Sequence, residues 1–153
     1  LALACSPKLL LADEPTTALD ATVQIQILLL LRQLQRELGM SIIFVTHDVG
    51  VATEIADELA VMYAGKIVEI GDVADVIKKP AHPYTQGLLS STVNSGSKGK
   101  RLEVIGGSPP DMSKLFKGCA FSPRCKKVLD QCWHQKPAPE SLSTNQIASC
   151  FNI

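Results

Sequence analysis

The sequence contains no G-x-x-x-x-G-K-[ST] loop, the glycine-rich turn whose amides and lysine cradle nucleotide phosphates. Phosphate binding by that device is therefore excluded within these residues. It also has no long hydrophobic run: the longest, such as Ile27 to Leu31, falls far short of the roughly 20 residues a membrane helix needs. There is no N-terminal Met and no signal-peptide pattern, so membrane association is expected to run through a partner. No internal repeat is visible, and the cysteines lack the C-x2-C knuckle common in zinc sites. Net charge is absent too, with 15 Lys and Arg balancing 15 Asp and Glu.

What is present is the composition of a soluble globular protein, 46% apolar and 20% charged. The zero net charge hides an asymmetry. Residues 1–92 carry six Lys or Arg against eleven Asp or Glu, while residues 93–153 carry nine against four. The reversal coincides with a change from periodic to loop-like sequence, as expected of two modules with different surfaces. A nucleic-acid arm is disfavoured, because the basic segment has one aromatic, Phe116, before its cysteines and no recognition-helix pattern.

Leu9-Leu10-Leu11-Ala12-Asp13-Glu14-Pro15-Thr16 is the most informative stretch. Four apolar residues followed by two carboxylates and a helix-breaking Pro describe a buried strand that delivers acids to its carboxyl end. Open α/β sheets bind ligands at that end. One acid there can hold Mg²⁺ beside a nucleotide phosphate, and a second can orient an attacking water. His47 follows a second apolar strand, Ser41 to Thr46. Between them, apolar residues at 23, 27, 30, 31, 34 and 38 have helical spacing, with Asp20 or Thr22 as the cap and Gly39 as the stop. Strand–helix–strand implies a right-handed parallel crossover.

Leu1 to Cys5 reads as the tail of a helix, with Cys5 as a buried apolar filler. Asp48 to Ile55 is a short helix, and Leu59–Tyr63 and Lys66–Ile70 are strands joined through Ala64-Gly65. Asp72 to Lys78 forms another short helix, and one more runs from the His82-Pro83-Tyr84-Thr85 segment to about Thr92. Residues 94–100 have the composition of a flexible linker. Beyond it, Cys119, Cys125, Cys132 and Cys150 form a C-x5-C-x6-C-x17-C array in a segment with little periodicity. Such a segment needs a staple to be ordered. Disulfides, zinc and an iron–sulfur cluster are the candidates, with unliganded thiols as the fourth reading.

Asp13-Glu14, Thr17-Ala18-Leu19-Asp20 and Thr46-His47-Asp48 together resemble the second half of an ABC-transporter ATPase domain. The resemblance narrows at Val61-Met62-Tyr63-Ala64-Gly65-Lys66-Ile67-Val68-Glu69 and at Pro80-Ala81-His82-Pro83-Tyr84-Thr85, which look like the ATPase subunits of oligopeptide and dipeptide importers. Nickel importers share much of this pattern. The family usually has Ile-Pro-Gly where this chain has Ile105-Gly106-Gly107; the substitution loosens a turn and touches no catalytic role.

The resemblance implies an α/β fold, a parallel sheet core with flanking helices, followed by a small loop-rich extension carrying the cysteines. The boundary is expected between residues 79 and 80. Asp13 would hold Mg-ATP, Glu14 would polarise water, His47 would position water at the γ-phosphate, and Asp20 would communicate across an ATPase dimer. Cys119, Cys125, Cys132 and Cys150 would hold a [4Fe–4S] cluster, with zinc as the alternative and His134 as a less favoured ligand. The implied partners are a second ATPase subunit, two transmembrane permease subunits and, indirectly, an extracytoplasmic peptide-binding protein, with no nucleic acid. The expected location is the cytoplasmic face of the membrane, peripherally. Lacking the phosphate loop and the Leu-Ser-Gly-Gly-Gln signature, the chain reads as a C-terminal portion that is inactive alone. A metal-stapled interaction module without ATPase activity is the second reading. A soluble ABC ATPase acting on DNA or ribosomes is the third.

Overall fold

The computed structural model describes residues 1–91, 104–113 and 116–153, which form two compact units, Leu1–Ala56 and Asp57–Ile153. The expected linker at 94–100 lies outside the described residues. Strands on either side of residue 80 share one sheet of the second unit.

In the first unit, β1 (Leu9–Asp13) pairs in parallel with β2 (Ser41–Val45), Leu9 opposite Ser41 and Asp13 opposite Val45. Side chains alternate across a strand, so Leu10, Ala12, Ile42 and Phe44 turn to the more buried face. Leu9, Leu11, Ile43 and Val45 remain exposed on the other, Leu11 at 69%. The connection is α1 (Ala21–Leu38). Asp20 caps its start by accepting from the amides of Thr22 and Val23, and Gly39, at φ 61°, ends it in the left-handed conformation that glycine adopts without strain. α2 (Val49–Ile55) is capped in the same way by Asp48. Arg32 Nη1 donates to the Glu54 carbonyl at 3.1 Å, tying the two helices together.

Leu1 to Cys5 is not helical. It forms turns closed by Ala4 N–H to Leu1 O and Ser6 N–H to Leu3 O, and Cys5 is exposed rather than buried.

The second unit is built on an antiparallel sheet in the order β3-β4-β6-β5. β3 (Glu58–Tyr63) and β4 (Lys66–Asp72) form a hairpin through Ala64 and Gly65, both at positive φ, as a tight two-residue turn requires. The other edge of β4 takes β6 (Gln146–Ala148), which pairs in turn with β5 (Glu140–Ser143). A Cβ at Gly71 would overlap the Asn145 carbonyl oxygen, so glycine is needed where β6 begins. α3 (Val73–Lys78) and α4 (Pro83–Ser91) follow the hairpin, and two 3₁₀ turns, Ser122–Arg124 and Asp130–Trp133, carry the cysteine segment. The core is aromatic: Tyr63 lies 4.6 Å from Tyr84 and 5.1 Å from Phe121, ring centre to ring centre.

Candidate functional site

Two groups of functional side chains stand out, one in each unit. In the first, Asp13 ends β1, and Glu14 follows with its N–H on the Val45 carbonyl. Glu14 has φ 44°, a left-handed conformation that a non-glycine residue adopts at a cost. The bend presents its carboxylate to two partners. Oε1 lies 2.8 Å from His47 Nδ1, and Oε2 accepts from Thr17 Oγ1 at 2.9 Å. His47 is aimed by its own loop, in which Asp48 N–H donates to Thr46 Oγ1 while Asp48 Oδ1 caps α2.

The His47 hydrogen bond, followed by that from Thr17, holds the Glu14 carboxyl below its ordinary range. The same bond and the Glu14 charge hold the His47 imidazole above its own. Both side chains remain open to solvent, His47 at 77% and Glu14 at 42%. A carboxylate with a lowered pKa is a weak proton acceptor. Its chemical capacity is to orient a water that it does not fully deprotonate. Asp13 is exposed beside it, a carboxylate suited to a hard cation. Asp20 is also exposed, and its Oδ1 is engaged by the amides at the start of α1.

In the second unit, Cys119, Cys125, Cys132 and Cys150 line one cavity together with His82, Phe121 and Lys127. Among the described residues, no group of three or more His, Cys, Asp or Glu is arranged to hold a metal ion. The thiols therefore share a cavity without being drawn into a closed ligand set. Backbone amides already face the sulfurs: Lys127 N–H to Cys125, Leu129 N–H to Cys132 and Asn152 N–H to Cys150, each at 3.4 Å. Burial pushes the Cys119, Cys125 and Cys150 thiols up, and neighbouring cysteines add to the effect. Thiols in that state ionise when a cation is there to offset the charge, so metal binding releases protons. Four sulfurs with amide donors on a common cavity are a donor set suited to a soft metal centre. His134 lies exposed and does not line this cavity.

Gly118 makes this geometry possible, since a Cβ there would overlap the Cys132 carbonyl. The adjoining Cys119 N–H donates to that same carbonyl at 2.8 Å, holding Cys119 beside Cys132. Arg124, between Pro123 and Cys125, donates to the Ile105 and Gly106 carbonyls and to the Tyr63 hydroxyl.

Sequence reasoning did not single out the group that anchors this unit. Glu69, 1% exposed, accepts from the amides of Ala81 and His82 and from Gln146 Nε2, at 2.8–2.9 Å. Gln146 Nε2 also reaches the Lys79 carbonyl. One carboxylate thus joins β4, the segment before α4, and β6. The available signal was an acid inside the apolar strand Ile67-Val68-Glu69-Ile70, where only a hydrogen-bonded charge is tolerated. Burial lowers His82 to about 4, so its ring is neutral near pH 7.

Residues 68–132 match the family described as the oligopeptide/dipeptide transporter C-terminal region. The chain is 47% identical over 151 residues to the oligopeptide transport ATP-binding protein OppD of Salmonella typhimurium, covering 99% of this chain and 45% of that protein. It is 45% identical to AppD of Bacillus subtilis, an oligopeptide transport ATP-binding protein, and 44% identical to DppD, a dipeptide transport ATP-binding protein of the same organism, over the same 99% of this chain. Over nearly its whole length the chain is similar to part of the ATP-binding proteins of oligopeptide and dipeptide transport.

It spans about half the length of the curated relatives it matches. Within that family frame, the parallel β1–β2 pair and the antiparallel sheet are the C-terminal part of an ABC ATPase domain and its extension. The His82-Pro83-Tyr84-Thr85 segment is largely internal, with His82 and Thr85 buried and Tyr84 in the aromatic cluster. Among the described residues, no helix is long and apolar enough to cross a membrane.

Proposed function

We propose that this chain carries the water-orienting half of the ATP-hydrolysing centre in a subunit that energises import of oligopeptides or dipeptides. The Glu14–His47 contact carries the reading, because it unites two residues from separate loops at the carboxyl ends of adjacent parallel strands. Glu14, kept ionised by His47 and Thr17, orients the attacking water. His47 steadies that carboxylate and presents its remaining ring nitrogen to the γ-phosphate side. Asp13 holds Mg²⁺, which offsets phosphate charge when bound. Asp20, at the start of α1, faces a second ATPase subunit and communicates across the pair.

Two transmembrane permease subunits and, through them, an extracytoplasmic peptide-binding protein complete the assembly. The protein sits peripherally on the cytoplasmic face of the membrane. Cys119, Cys125, Cys132 and Cys150 hold a structural centre, a [4Fe–4S] cluster or in its place zinc, that orders the end of the chain. Without a phosphate-cradling loop, the 153 residues alone neither bind nor hydrolyse ATP.

The test is ATP turnover by the assembled transporter. Glu14→Gln is expected to abolish hydrolysis while leaving nucleotide binding intact, and the isolated chain is expected to show none. Magnesium-dependent turnover by the isolated chain that disappears in Glu14→Gln would overturn the inactivity. Turnover by an assembled Glu14→Gln transporter at the native rate would overturn the assignment of Glu14.

A further inference from the structure

His82 is buried to 1% exposure and its contacts are fully assigned on one side. Its backbone N–H donates to Glu69 Oε2 at 2.9 Å, and its ring Nδ1 accepts from the Tyr84 N–H at 3.0 Å. A ring nitrogen that accepts carries no proton, so the neutral ring bears its proton on Nε2. Among the described residues, no hydrogen-bond acceptor takes that Nε2–H. The ring stands 5.8 Å from Phe121 and lines the cavity shared by the four cysteines. Ser122 on the same wall donates its hydroxyl to the Cys119 carbonyl. The four cysteine sulfurs line the same cavity as this spare donor.

We propose that His82 donates its Nε2–H to the sulfur of the four-cysteine centre and so acts as a positioning residue that governs how firmly the centre is held. The proposal rests on the reading of Cys119, Cys125, Cys132 and Cys150 as a metal-binding set. It assigns the His-Pro-Tyr-Thr segment two tasks in one ring: Nδ1 receives the amide at the start of α4, and Nε2–H serves the centre. Hydrogen bonds to ligating sulfur stabilise its negative charge and raise the reduction potential of an iron–sulfur centre. All four cysteine sulfurs already receive backbone amides, and His82 adds a donor from a different part of the chain. The Glu69 carboxylate fixes the backbone from which that donor projects.

Two substitutions separate the tasks. In His82→Asn, the side-chain oxygen stands near the place of Nδ1 and still accepts from Tyr84, but nothing replaces the Nε2 donor. In His82→Gln, the amide nitrogen reaches toward the place of Nε2, while the Tyr84 amide loses its acceptor. The protein is purified without oxygen, or reconstituted with ferrous iron and sulfide, and metal loss to a competing chelator is followed.

His82→Asn is expected to weaken metal retention about tenfold and, for an iron–sulfur centre, to lower the reduction potential. His82→Gln is expected to keep both near native while lowering the melting temperature. Native retention and potential in His82→Asn would overturn the proposal and leave the four-cysteine reading standing. If His82→Asn fails to fold, His82→Gln decides, because loss of retention in that variant overturns the donor role. A native protein that holds neither iron nor zinc under these conditions overturns both readings.

Discussion

Replacing Glu69 tests whether the second unit depends on one buried carboxylate. Its two oxygens meet three donors: Ala81 N–H and Gln146 Nε2 on Oε1, and His82 N–H on Oε2. In Glu69→Gln, the favourable orientation keeps the amide oxygen on Ala81 and Gln146 and sets the amide NH₂ against the His82 N–H. One charge-assisted hydrogen bond is then replaced by two opposed donors. A hydrogen bond to a charged group contributes about 1.5–3 kcal/mol, and a buried unpaired donor costs about 1–3 kcal/mol. The expected loss is about 3 kcal/mol, allowing for partial relaxation. Glu69→Ala orphans all three donors and leaves a cavity, for a loss of about 5 kcal/mol, close to the whole stability of a small domain.

For a unit of this size, each kcal/mol moves the melting temperature by about 4–8 °C. Glu69→Gln should therefore melt roughly 12–24 °C lower. Thermal melting followed by circular dichroism measures the global effect, and amide hydrogen exchange measures the local one. Exchange at Ala81 and His82 should accelerate more than at the β3–β4 hairpin. A Glu69→Gln protein melting within about 2 °C of native, with unchanged exchange at both amides, would show that the carboxylate anchors nothing.

The Glu14–His47 pair makes a prediction about pH. Its contribution is complete between the ordinary values, 4.5 for Glu14 and 6.5 for His47; it is lost as pH falls through the lowered Glu14 value or rises through the raised His47 value. In an NMR titration, His47 should therefore titrate above 6.5, and Glu14→Gln should bring it down; a titration point indifferent to that substitution refutes the contact. Gly118→Ala should cost about 1–3 kcal/mol by forcing the Cys119 segment away from Cys132. Alkylation of Cys132 should then quicken, and native alkylation rates would contradict the overlap. Asp20→Ala should destabilise α1 by about 1 kcal/mol, whereas Asp20→Asn, an equally good cap, should not. If the assembled transporter loses ATP turnover in Asp20→Asn with the helix intact, the carboxylate serves the partner subunit; native turnover confines it to capping.

The first unit was legible because local chemistry and tertiary structure agree there. Asp20 and Gly39 bound α1 where helix-capping rules place them, and the apolar runs at 9–12 and 42–45 become the parallel pair. The Ala64-Gly65 turn was legible for the same reason, since a two-residue turn with both φ positive has few sequences to choose from. β5 and β6 were not legible. Gln146 and Ala148 turn inward, while Ile147 between them is 42% exposed, which inverts the usual hydrophobic alternation. Their register is set by Gln146 reaching Glu69, a contact 77 residues apart that no local pattern announces. Cys5 failed in the opposite sense: its apolar character suggested burial, but the turns at 1–6 leave it exposed.

The two groups of functional residues differ in how much of their environment these residues supply. Glu69 and His82 are enclosed, and their partners are all drawn from the same unit, so substitutions there should register in stability before they register in transport. Glu14 and His47 are bound to each other but open to solvent, on a strand pair whose Leu9, Leu11, Ile43 and Val45 face is also exposed. Parallel sheets are ordinarily covered on both faces, and a water-orienting carboxylate gains strength where solvent is excluded. Both facts point the same way. The acid–histidine pair is preorganised by β1, β2 and two capped loops, and on the proposed hydrolytic role its strength would depend on low-dielectric surroundings supplied by whatever covers that apolar face.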